Sequence, residues 1–171
     1  MNTDMHSSLA ILLPEENISH DTNRSMDSAA DGYRDKIGEQ LQRPCSDFIQ
    51  ALTERDFSGM AHIGTHSIDH DFQAQIDDLT AMSLADYIQN LRRVMESSPE
   101  MRCNLVDTAF YVDDISGHAA VHQLIESVGR PNEPRRLAFC MVQWRRKNKK
   151  WSVYRSTTVR GFPGTRLSFG M

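Results

Sequence analysis

The sequence predicts an α+β fold: a cone-shaped, curved antiparallel sheet with N-terminal helices packed on its concave face. Three observations carry that expectation. Strand-like runs at Ser116–Glu126, Arg136–Trp144 and Trp151–Arg160 follow one another with no helical pattern between them. Helical periodicity dominates the first half instead. The length, 171 residues with 39% hydrophobic and 25% charged, suits one domain with one core.

The elements follow in order. Met1 to about Asp31 is rich in Ser, Asn, Asp, Thr and Met without a sustained period. It reads as a disordered or loosely docked tail, within which Leu9–Leu13 is a short apolar run stopped by Pro14. Residues 1–32 are thus expected to be tail, 33–161 the folded domain and 162–171 a C-terminal tail. Ile37, Leu41, Cys45, Phe48, Ile49 and Leu52 line one helical face between Tyr33 and Asp56. Pro44 predicts a kink there, or two helices meeting. Residues 57–64 read as a short helix stopped at Gly64. Ser67–Ala74 alternates, with Ile68, His70 and Phe72 on one face and Asp69 and Asp71 on the other. Ser83 with Asp86 three residues on is a capping-box variant that opens a helix to about Ser97, before Pro99. Met101–Val112 reads as a strand, Asp113–Gly117 as a turn and Gly129–Pro134 as a longer loop.

Charge and cysteine usage exclude several classes. The net charge of -4 gives no general attraction to nucleic acid or anionic lipid. The basic run Arg145–Lys150 reads as a solvated hairpin turn, with phosphate binding as the competing reading. Leu9–Leu13 is too short to span a membrane, and no basic residue precedes it. Cys45, Cys103 and Cys140 have no metal-ligand spacing and read as buried, reduced thiols of a cytoplasmic protein. No metal or cofactor is expected.

From Asp47 to Arg160 the order of elements resembles the nuclear transport factor 2-like superfamily, SnoaL-like branch. Phe48–Phe57 is similar to its opening helix, Ser67–Asp71 to its first strand and Ser83–Ile88 to the helix that follows. Trp144, the basic turn and Trp151–Tyr154 are similar to its last hairpin. The resemblance implies a cone with a mostly apolar pocket between sheet and helices, and a homodimer formed through the sheet. Relatives of this kind include isomerases, dehydratases, cyclases and non-catalytic proteins, so the fold leaves function open.

Candidate chemistry rests on a few side chains. His70, beside Phe72 on an apolar strand face, suits a general acid or base; the competing reading is a core histidine satisfied by one hydrogen bond. His118, His122 and Glu126 share a strand face at intervals of roughly 13 Å. The opposite face, Ala119, Val121, Gln123 and Ile125, reads more like the pocket wall, which would turn the histidines toward a partner subunit; one residue of register reverses that assignment and leaves it open. Arg155 needs an anionic partner if it faces inward. Tyr87 and Tyr111 suit hydrogen bonding to a carbonyl oxygen, against plain aromatic packing.

The leading expectation is a cofactor-free isomerase, dehydratase or cyclase acting on a small apolar carbonyl compound, of the kind used in specialised-metabolite biosynthesis. His70 or His122 would move a proton, Glu126 or Asp107 would orient it, and Phe72, Tyr87, Tyr111, Phe139, Trp144 and Arg155 would hold the substrate. The alternative is a non-catalytic dimeric module that binds a ligand or another protein. The two part on whether His70 faces a closed cavity.

Overall fold

The computed structural model describes residues 21–161, the side chains of 21–29, 133 and 134 excepted. The Leu9–Leu13 run and the C-terminal segment from Phe162 lie outside the described residues.

Helix α1 spans Asp21–Glu54. Its expected stripe is real: Ile37, Leu41, Cys45, Ile49 and Leu52 are all buried. The helix starts at Asp21, ahead of the Tyr33 start that the periodicity predicts, and at Pro44 two separate helices do not form: Pro44 lies within one continuous helix. Apolar contacts on both sides of Pro44 hold the helix together where one backbone hydrogen bond is lost. Helix α2, Phe57–Ser67, is capped by Asp56, whose carboxylate accepts from the Gly59 N–H at 2.8 Å. It runs through Gly64, which is buried because a β-carbon there would meet Leu84 at 2.5 Å. Gly64 therefore permits helix–helix contact and does not act as a stop. Helix α3 spans Leu84–Ser97 with Ser83 as N-cap, as its sequence predicts.

Five strands follow the order β1-β5-β4-β3-β2: β1 Ile68–Ile76, β2 Arg102–Asp113, β3 His118–Arg130, β4 Glu133–Lys147 and β5 Lys150–Arg160. β2 to β5 form an antiparallel meander. β1 pairs with β5 in parallel, so the sheet is mixed and not wholly antiparallel. No hairpin fixes the direction of β1, which reaches the sheet edge from α2 and leaves it toward α3.

Three irregularities decide which side chains face inward. Ile68 pairs with Val153 and Gln73 with Arg155, so β1 carries surplus residues at Asp69–Asp71. On β2 the register slips between Leu105 and Asp107, and on β4–β5 between Gln143 and Trp144. Each slip bends the sheet and exchanges its faces. Cys103 and Leu105 face inward before the slip, and Thr108, Phe110 and Val112 after it. A single alternation along β2 or β5 therefore assigns half of each strand to the wrong side.

Helix α1 lies across the inner face of β2 and β3. The core divides into two clusters, one around Ile37, Leu41, Phe72, Val121 and Trp144, the other around Leu52, Met60, Met95 and Met101. The β4–β5 hairpin turns at Asn148 and Lys149, both left-handed, as a two-residue turn requires. Arg145 and Arg146 belong to β4 and are half-buried, contrary to the expected solvated run.

Candidate ligand-binding cavity

Between the helices and the sheet lies a cavity of two lobes. The first has room for about 70 Å³ and the second for about 190 Å³. Phe48 and Ile49 of α1, Tyr87 of α3 and Ile125 of β3 line both. The helical stripe places Phe48 and Ile49 there, and the capped start of α3 brings Tyr87 over the sheet.

The first lobe is almost entirely apolar and, among the described residues, carries no Asp, Glu, Lys, Arg or His in its wall. Its polar groups are neutral. Burial pushes the Cys45 thiol up to about 12, with the Cys140 sulfur adding to the shift and the nearby Trp144 indole opposing it weakly. Cys45 donates to the Leu41 carbonyl at 3.4 Å. Burial also raises the Cys140 thiol, whose sulfur lies 3.6 Å from the Ser156 hydroxyl. The Tyr87 phenol is driven above its ordinary range by burial, beside Ser156 and Thr158. All three groups stay protonated near neutral pH. The second lobe ends among Arg130, Arg136 and Arg160. Arg160 donates its Nε to Asp77 at 2.6 Å and its backbone N–H at 2.8 Å, which holds that carboxyl below the usual range.

Of the residues expected at the site, Phe72, Tyr87 and Trp144 line the first lobe. The others lie elsewhere. His70 is 85% exposed, its Nδ1 2.7 Å from Asp69 Oδ1, because the surplus residues of β1 loop it away from the cavity. His122 stands on the outer sheet face, stacked on Phe139 with ring centroids 5.6 Å apart. Glu126 is on that face, paired with Arg135. Asp107 is exposed just past the β2 slip and accepts from the Thr108 N–H. Tyr111, Phe139 and Arg155 are also exposed on the outer side. The expected general base, its orienting acid and three of the six substrate contacts are therefore not brought together.

Sequence reasoning missed the parts of the cavity supplied by α1 and by Cys140 and Ser156. The helical stripe carried a signal for the first. Nothing in the pattern marked Ser156, which turns inward only because of the slip beside Val153. The carboxylates of Asp69 and Asp71 and the His70 ring lie close enough to share a metal ion. Arg145 already supplies positive charge there, donating to Asp69 Oδ2 at 2.8 and 2.6 Å and also to Asp71.

No family model matches the sequence, and no curated protein matches it. Solved structures do. A nuclear transport factor 2-like protein of unknown function from Pseudomonas putida KT2440 is 14% identical, covers 80% of this chain and 97% of its own, and superposes with a TM-score of 0.59. The chain has the nuclear transport factor 2-like fold. A candidate dehydratase of the nuclear transport factor 2-like family from Streptomyces avermitilis shares it at 16% identity, covering 75% of this chain and 98% of its own with a TM-score of 0.56. A candidate scytalone dehydratase from Novosphingobium aromaticivorans shares it at 11% identity, covering 71% and 82%, with a TM-score of 0.54. At these identities the likeness establishes the nuclear transport factor 2-like fold and leaves chemistry to the residues.

Proposed function

We propose that the protein is a binding module for a small, largely apolar molecule, held in the cavity between helices and sheet and presented by a homodimer formed through the outer sheet face. One observation supports this above the others: the first lobe is lined by apolar side chains and neutral polar groups, with every expected proton-transfer residue outside it. Such a lobe favours transfer of an apolar body from water. Arg130, Arg136 and Arg160 give the second lobe a polar end for a ligand's hydrophilic portion. The free, buried Cys45, Cys103 and Cys140 suit a reducing compartment such as the cytoplasm. Among the described residues no helix is long and apolar enough to cross a membrane.

The test is ethylbenzene titration of the ¹⁵N,¹³C-labelled chain. Saturable shifts at Ile49, Ile125 and Val142 are expected. Shifts that fail to saturate, or that fall on the outer sheet face, would remove the reading.

Isomerase or dehydratase chemistry is the second reading. The names of two structural neighbours point that way, and Trp144 and Tyr87 are donors suited to a carbonyl oxygen. It requires a base, and the first lobe has none in its wall. A His70→Ala, His122→Ala double variant is expected to bind ethylbenzene as the parent does. Loss of turnover in that variant, on any enolisable ketone the parent converts, would restore the catalytic reading.

A further inference from the structure

The first lobe holds two buried nitrogen donors that make no hydrogen bond of good geometry among the described residues. Gln123 is 2% exposed and Trp144 is 2% exposed. Among the described residues, Gln123 Nε2 and Trp144 Nε1 are both without a hydrogen-bond partner. The indole N–H leans toward the Cys45 thiol without reaching hydrogen-bond geometry, and a thiol sulfur is a weak acceptor in any case. The neighbouring polar groups are arranged differently. Cys140 and Ser156 contact each other, and Tyr87 lies against Ser156 and Thr158. Most buried polar side chains have a partner, so two orphaned donors in one small apolar chamber call for an explanation.

The wall also says what the missing partner is. An anionic acceptor would sit in the first lobe with no cationic side chain beside it, since the lobe's wall contains none. Burying such a charge is costly. A neutral acceptor carries no such cost, and it relieves the penalty on each donor it meets. Gln123 pairs in register with Cys140, and Trp144 with Ala119, on the same inner face. Four residues of β3 separate those positions, roughly 13 Å along the strand, so the two donors are separate anchor points on one wall of the lobe.

We infer that Gln123 Nε2 and Trp144 Nε1 are the specificity-determining donors of the cavity, and that its ligand is an apolar compound bearing neutral carbonyl oxygen. This rests on the binding reading above and names the ligand class for it. A site built to donate to an oxygen rejects the analogue that lacks it, because the donors are then left buried and unpaired.

The experiment compares acetophenone with ethylbenzene, which differ by one carbonyl, on the full-length ¹⁵N-labelled chain. The chain has two tryptophans, so its spectrum carries two indole N–H signals, and Trp144→Phe assigns one of them. Acetophenone is expected to bind about 10-fold or more tighter than ethylbenzene. It alone is expected to move the Trp144 indole proton downfield. In Gln123→Leu or Trp144→Phe the ratio of the acetophenone to the ethylbenzene affinity should shrink. Gln123→Leu should also raise the melting temperature of the free protein, because it removes an unpaired buried amide. Equal affinity for the two probes would overturn the inference and leave the binding reading standing. A carbonyl advantage unchanged in both variants would do the same, as would a lower melting temperature for Gln123→Leu. Failure of both probes to bind would remove the binding reading and the inference with it.

Discussion

Asp69 shows how one residue can be diverted from chemistry to structure. Its side chain is 9% exposed and is shared by Arg145, Lys147 at 3.3 Å, His70 and Ser152. The Arg145 guanidinium, first among these, holds its carboxyl well below the usual carboxylate range. A carboxyl depressed in the folded chain stabilises it fully above the unfolded pKa of about 3.9, and the stabilisation is lost as pH falls below that value. Melting temperature should therefore drop as pH falls from about 4 toward 2. Asp69→Asn should melt lower than the parent at pH 7 and fall less steeply over the acid range. A parallel pair of melting curves would show that Asp69 contributes nothing specific. The sequence offers His70, which lies exposed beside this cluster, as an inward base or a hydrogen-bonded core histidine, because Ile68, His70 and Phe72 alternate. The alternation is genuine in the letters. The surplus residues opposite Val153–Arg155 are a tertiary feature, invisible to a period of two.

At the level of elements, close approaches set the packing of helices and turns. Met60 and Met95 are 0% and 1% exposed where α2 and α3 meet α1. Met95→Ala should cost about 2–5 kcal/mol in chemical denaturation, as the emptied space cannot fully collapse. A loss under about 1 kcal/mol would mean that flexible neighbours refill it. Gly129 is the stricter case. It has a φ of +84°, and a β-carbon there would meet the Glu100 carbonyl oxygen at 2.2 Å. Gly129→Ala must strain the β3–β4 turn and push back the segment before β2, so a clear fall in melting temperature is expected; an unchanged value would mean that this segment yields freely. Element identity was legible because periods of 3.6 and 2 survive in the sequence, and the Ser83 cap fixed the start of α3. The inward set was legible on β3, whose pairing with β4 is unbroken over Ala119, Val121, Gln123 and Ile125 and which carries no surplus residue of its own. It was not legible on β2 and β5, where one slip in register reverses it.

For the molecule as a whole, the sheet covers its inner face with helices and leaves the outer one open. Tyr111, Phe139 and Val159 are 63%, 48% and 55% exposed there, with His122 stacked on Phe139. The sequence pattern favours the outer face for His118 and His122 but leaves it open, since one residue of register reverses it. What it did not reveal is that Phe139 and Tyr111, read as cavity residues, belong to that same outward surface. Exposed apolar side chains on an uncovered sheet face suit the homodimer proposed above. A second copy suits that face because a two-fold axis would set the same patch against itself. Sedimentation velocity should therefore give a species of twice the 19.5 kDa chain mass at micromolar concentration. Phe139→Glu places a carboxylate in the middle of the patch and should shift that species to the monomer, since an unpaired charge at a buried interface is costly. Because Phe139 lies outside both lobes, the variant should keep its circular dichroism and still bind acetophenone. A parent that stays monomeric at the highest soluble concentration would exclude the dimer. A variant that loses ligand binding along with dimerisation would show that the cavity is completed across the interface, because a contact on the far side of the sheet has no other route to the helices.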